Sequence, residues 1–365
     1  MRLQETKSPS KKIVTTPNKK SLLPAEILPS STKLTQILLS LICPWLVFAL
    51  ANIGANLYLK NFPENRGYWL IQQKWSMLMN LKQPVDWLVL GDSSCNQGVI
   101  PQVLESEFSG KAINLCTIGD SLVLNSAWML SQHIKKYGAP KNIILVHVYD
   151  IWGREINWNV TSQTPLSWGY WNKLEPNIKL DFPQQKAVFL NRYVPLYSQN
   201  TSLKKILEER DRLFVKKDYQ LEKDGFMKVT KANISNVEYD RQGHLRNIQK
   251  SEFSFSNTNQ KSLEAIAELA QKHDINVYLT NSPLDRELYQ NPDFQARYKR
   301  VQTELGQISD RYNNLHLIMA EPMTFSPEEM ENADHLIASA AKSYTKQLAK
   351  EIKSKTQSSN STSHN

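Results

Sequence analysis

The sequence predicts a doubly wound α/β protein with a mostly parallel, five-stranded sheet, preceded by one transmembrane helix. Three observations carry this expectation. Five short apolar runs, DWLVLGDS (86–93), KAINLC (111–116), NIILVHV (142–148), INVYLT (275–280) and LHLIMA (315–320), read as strands buried on both faces. Among them lie PQVLESEF (101–108), SLVLNSAWMLSQHIKKYG (121–138) and SLEAIAELAQKHD (262–274), each with apolar residues at helical spacing and a turn signal at its end. Upstream of all of these, Leu34 to Leu59 runs 26 residues without a charge. Alternating strands and helices argue for a parallel sheet covered on both faces, with ligands at the carboxyl ends of its strands.

Residues 1–33 hold seven Lys or Arg against two Glu, so over half of the net charge of +9 sits in this short basic arm. The run at 34–59 exceeds the roughly 20 apolar residues that cross a hydrocarbon core of about 30 Å. Lysines ahead of it match the positive-inside pattern, which places the arm in the cytoplasm and the main domain outside, in the periplasm of a bacterium. Ala49-Leu50-Ala51 offers a small-residue cleavage site, so a cleaved signal peptide is the alternative to an uncleaved anchor. Pro44 would kink this helix, which a membrane helix tolerates.

Residues 60–85 read as a linker and 86–352 as the α/β domain. Within it, 151–256 breaks the alternation as an insertion, with Trp152, Trp158, Trp168 and Trp171, a helical run at 202–214 and a polar span at 228–245. Its aromatics are expected in the core, with a substrate platform as the alternative. The polar stretch 353–365 reads as a disordered tail.

A length of 365 residues with 41% apolar and 22% charged residues is ordinary globular composition, which excludes a largely disordered chain. Three cysteines, Cys43, Cys95 and Cys116, are too few and too irregular for a disulfide framework. Neither CxxC nor HExxH occurs, so no metal is expected. Neither GxxxxGK[ST] nor GxGxxG occurs, so no nucleotide cofactor is expected. Topology and attraction to anionic lipid account for the basic arm, so no nucleic-acid partner is expected.

The first strand ends in Gly91-Asp92-Ser93-Ser94, placing Ser93 at the carboxyl edge of the sheet, where a nucleophile would sit. A serine there needs a base for its proton and N–H groups for the oxyanion. The favoured base is His335, in Glu331-Asn332-Ala333-Asp334-His335-Leu336, expected to begin the terminal helix 337–352. His147, late in the third strand, is its one serious rival; His133, His244, His273, His316 and His364 are less well placed.

A Gly-Asp-Ser turn early in the chain and a late histidine resemble the first and last motifs of the GDSL/SGNH hydrolase superfamily, over about residues 86–352. The membrane anchor and long insertion are similar to the cell-envelope branch, which includes alginate O-acetylation and teichoic-acid D-alanylation proteins. The resemblance implies a flavodoxin-like SGNH fold, Ser93 as nucleophile, His335 as base, and an oxyanion hole from the amides of Ser93 and Gly119. It implies a serine esterase or O-acyltransferase acting on acyl, foremost acetyl, esters of envelope polysaccharide. The bilayer, an acylated glycan and a membrane-bound acyl-donor protein are the implied partners. Two departures stand out. The position three before the histidine, aspartate in the family, is Asn332, so Glu331 or Asp334 would have to supply the charge; an amide there costs a serine protease about 10⁴ in turnover. The third motif's asparagine is missing, with Tyr149 as the substitute oxyanion donor. A catalytically impaired protein that binds polysaccharide or scaffolds an envelope complex is the alternative function.

Overall fold

The computed structural model describes residues 31–209, 213–215, 219–250 and 252–362. Contacts divide the chain into two compact units, Met1–Ala51 and Asn52–Asn365. The basic arm, up to residue 30, lies outside the described residues, as do residues 363–365 of the expected tail.

Helix α1, Ser31–Asn61, contains Pro44. Its stretch Leu38–Asn61 is long and apolar enough to cross a membrane, with a mean hydropathy of 2.0, and most of it is exposed. Helix α2, Arg66–Met79, follows, opened by the Asn65 side chain accepting from the Tyr68 N–H. The expected linker is therefore largely a helix. Its Ile71, Trp75 and Leu78 recur at i, i+4 and i+7, and this apolar stripe is buried in the main core.

The α/β alternation then follows as the sequence predicts: β1 Trp87–Gly91, α3 Ser93–Gly98, α4 Pro101–Glu107, β2 Ala112–Asn114, α5 Leu122–Tyr137 and β3 Asn142–His147. The insertion holds α6 Trp158–Thr161, α7 Phe182–Tyr193, α8 Pro195–Ser198, α9 Asn200–Glu208 and α10 Ile234–Lys250. Most of the span expected to be merely polar is thus helix α10, and the helical run expected at 202–214 ends as α9 at Glu208. Helix α11, Asn257–Lys272, leads into β4 Asn276–Asn281, β5 Leu284–Asp285, α12 Arg286–Gln290, α13 Pro292–Ser309, β6 Leu315–Leu317 and β7 Thr324–Phe325. The chain closes with β8 Met330–Asn332, β9 His335–Leu336 and α14 Ala338–Thr362. Residues 353–362 of the expected tail continue α14, whose earlier turns up to Ile352 are anchored in the core.

The main sheet has the order β2-β1-β3-β4-β6 with every pair parallel, so the five expected strands are its five strands. Side-chain alternation splits the core in two. Leu88 and Leu90 of β1, with Ile143 and Leu145 of β3, face α2, α5, α11 and α13; Trp87, Val89, Ile144 and Val146 face α3, α4 and α14. Helices on both faces are what continuous apolar strands require. Of the insertion's tryptophans, Trp152 and Trp171 are core, Trp158 is half-buried and Trp168 is exposed.

Candidate active site

The site is built at the carboxyl end of β1. A Cβ at Gly91 would lie 1.9 Å from the Val146 carbonyl oxygen, so glycine is what allows β1 and β3 to stay paired to their ends. Asp92 then caps α3: its Oδ1 accepts from the Ser94 N–H at 3.0 Å and the Ser94 hydroxyl at 2.5 Å, and its Oδ2 accepts from the Val148 N–H at 2.7 Å. His147 Nδ1 lies 3.4 Å from the same Oδ2. Burial pushes the Asp92 carboxyl up, but these donors and the neighbouring His147 outweigh it and hold it down to about 2. Asp92 is therefore a buried, ionised strut. Ser93 opens α3, so its own N–H has no carbonyl partner within the helix. Behind it, Cys95 and Cys116 form a disulfide that ties α3 to the segment after β2, a single bridge the cysteine count did not lead us to expect.

His335 arrives on a different device. It does not begin a helix: Asn332 pairs with His335 in the tight antiparallel hairpin β8–β9, and α14 starts only at Ala338. The Asn332 side-chain oxygen accepts from the Asp334 N–H at 3.1 Å, which folds the turn. That oxygen also lies 2.7 Å from His335 Nδ1, and the Asp334 carboxylate is in direct contact with the same nitrogen. Asn332 thus occupies the orienting position, while Asp334 rather than Glu331 supplies the charge. Burial alone would lower the imidazole, but the charge and hydrogen bond of Asp334, with Glu331 and Asp92 further off, raise it to about 9.

Ser93, Asn332 and His335 line one cleft of about 290 Å³ with Gly119, Asp120, Val148, Arg154, Asp240, His244 and Asp334. They also line an adjoining one of about 260 Å³ with Arg66, Asn96, Gln97, Met227 and Asn236. The structure thus brings together Ser93, His335, Asn332, Asp334 and Gly119. A Cβ at Gly119 would lie 2.8 Å from Arg154 Nη1, so this glycine makes room for the guanidinium. Arg154 is itself held by both Asp150 oxygens at 2.9 Å and by Asp120 at 3.2 Å.

Tyr149 does not join them. It is buried against Phe294, its hydroxyl lies 3.0 Å from His244 Nδ1, and it lines neither cleft, so it is not placed as an oxyanion donor. Burial pushes that hydroxyl well up, keeping it neutral. His147, the rival base, is fully buried against Trp152 with its ring on Asp92, and it too is outside the clefts.

Sequence reasoning missed Asp240 and set His244 aside as less well placed. Both come from α10, four residues apart and so on one helix face, a signal that needed α10 to be recognised as a helix. Asp240 Oδ2 accepts from the Ala333 N–H at 3.2 Å, fixing the hairpin that carries His335, and lies 3.5 Å from His244 Nε2. Burial works to lower His244, but Asp240, Asp334 and Asp150 outweigh it and raise it, while Asp240 is lowered in turn. Asp240, His244 and Asp334 bring ligand-type atoms within 4.8 Å of one another. Each already has a protein partner, so the group is complete as an ion-pair chain between the insertion and the hairpin.

No protein-family model matches this chain and no curated protein matches it, so the chemistry rests on the geometry alone.

Proposed function

We propose that this protein is a membrane-anchored serine esterase or O-acyltransferase acting on acyl esters, foremost acetyl, of a cell-envelope polysaccharide, on an SGNH-type, flavodoxin-like fold. The observation that carries the proposal is Ser93 at the carboxyl end of β1, sharing one cleft with a histidine whose Nδ1 is engaged by Asp334 and Asn332. That engagement leaves Nε2 as the working nitrogen. Ser93 Oγ attacks the ester carbonyl and its proton passes to His335 Nε2; the amides of Ser93 and Gly119 hold the oxyanion. The same proton is returned to the departing alcohol oxygen. Water or a sugar hydroxyl then resolves the acyl-enzyme, giving hydrolysis or transfer.

An apolar helix fit to cross a membrane supports the anchor, and the lysines ahead of it support a cytoplasmic amino terminus. The Cys95–Cys116 disulfide supports an oxidising, extracytoplasmic compartment for the main domain. The implied partners are the bilayer, an acylated glycan and a membrane-bound acyl donor, with no nucleic acid. A second reading, a binding or scaffold protein on the same fold, is favoured by one observation: an imidazole raised to about 9 is mostly protonated at neutral pH and a poor base there. The test is release of acetate from acetylated polysaccharide by the full-length protein in detergent. Release that Ser93→Ala abolishes supports the enzyme. Glycan binding without release, unchanged in Ser93→Ala, supports the scaffold.

A further inference from the structure

The insertion carries an apolar surface that the chemistry at Ser93 does not use. On α7, Phe182, Lys186, Phe189 and Tyr193 recur at i, i+4, i+7 and i+11, which is one helix face, and all four point to solvent. Phe182 is 78% and Phe189 49% exposed, and Trp168, Tyr197 of α8 and Leu207 of α9, the last at 68%, are exposed as well. Trp168, Phe189 and Tyr193 pack on one another with ring centroids 5.3 to 6.1 Å apart, so their exposed faces form one patch and not scattered side chains. A contiguous apolar patch of this kind marks an interaction surface.

Its position says what covers it. The Asn52 side chain of α1 donates to the Tyr193 carbonyl at 2.6 Å and accepts from the Leu196 N–H at 3.4 Å. Phe214 packs on Tyr58 and Phe62 of the same stretch of chain. About 20 residues of helix cross the hydrocarbon, so the apolar stretch Leu38–Asn61 leaves it near Leu57, little more than one turn beyond Asn52. The patch therefore joins α1 close to the level where that helix passes from hydrocarbon to headgroups. Aromatic rings are the side chains favoured at that level. Charge agrees, since from Lys179 to Lys205 the chain has five basic residues and one acidic. Cationic amphipathic helices lie on anionic lipid in this way.

We propose that α7, α8 and α9 form an interfacial platform that lies on the membrane beside the point where α1 leaves it, with Phe182, Phe189 and Tyr197 entering the headgroup and upper acyl layer. The main domain is then held against the membrane by two surfaces and not by one flexible tether. This does not depend on the chemistry of Ser93. The test uses the full chain in nanodiscs of phosphatidylethanolamine and phosphatidylglycerol, with the free, exposed Cys43 changed to Ser. Nitroxides are placed at Phe189→Cys, at Tyr197→Cys, and, as a solvent reference on α10, at Tyr239→Cys, where the native side chain is 74% exposed. Collision with oxygen relative to a water-soluble nickel chelate should be several-fold higher at 189 and 197 than at 239. A ratio at 189 and 197 equal to that at 239 would place the face in water and overturn the proposal. Labels shielded from both reagents would mean that protein covers it, which overturns it as well.

Discussion

The two halves of the candidate site are held by different physics. The Ser93 half is a strand end: β1 is buried along its whole length, and its one charge, Asp92, is surrounded by donors and lies within the core. The His335 half is a two-stranded hairpin whose Met330, Ala333 and Leu336 are buried in the core, while its polar side chains are held by Asp334, Asn332 and the Asp240–His244 pair from the insertion. Close packing and satisfied hydrogen bonds make the first insensitive to salt and moderate pH. Ion pairs make the second adjustable, and they set the protonation of the base. A cleft of this kind can keep its nucleophile fixed while the insertion tunes the residue that activates it.

The largest effect should come from Ser93→Ala, which removes the attacking atom. Ester turnover should fall by about 10³-fold or more, with thermal unfolding unchanged. Asp92→Ala should instead destabilise the fold, by about 3 to 5 kcal/mol in urea unfolding, because Val148 N–H and Ser94 lose a buried charged acceptor. The sign with pH follows: a carboxyl held to about 2 contributes stability above its ordinary value near 4, and that contribution is lost as pH falls through about 2. Replacing both Cys95 and Cys116 by Ala should cost about 3 kcal/mol from the loop of 21 residues they close, measured the same way. The smallest effect, and the sharpest probe of the contrast, is Asp334→Asn. It should cost about 1 kcal/mol of stability near neutral pH, where the protonated imidazole is paired, and move the pH midpoint of the rate from about 9 towards acid by about one unit or more. If instead Asp92 changes moved that midpoint and Asp334 changes did not, the division between the two halves would be wrong.

The same contrast explains what the sequence could tell. Continuous apolar runs flanked by turn residues made all five strands of the sheet legible, and with them the position of Ser93, because a buried parallel strand has a local signature. Asn332, Asp334 and His335 were legible as a cluster, but not their roles. Which carboxylate meets Nδ1 depends on a hairpin of three- and two-residue strands, too short to have a periodicity to read. Asp240 and His244 were lost because α10, with mainly polar residues around buried Val237, Arg241 and His244, hides its helical stripe. Tyr149 was misassigned because strand-end position does not reveal that its hydroxyl turns to His244. α2 was taken for a linker because its apolar stripe directly follows a longer, uniformly apolar segment.

The most direct test of the Ser93–His335 assignment is the rate at which a fluorophosphonate probe labels the full-length protein in detergent, followed across alkaline pH beside Ser93→Ala. Such probes report an activated serine without the natural substrate. The account predicts labelling that is absent in Ser93→Ala and, in the wild type, slow at neutral pH and rising to a plateau through about pH 9, as His335 loses its proton. Labelling that survives in Ser93→Ala, or a folded wild type that is unlabelled at every pH, would contradict it.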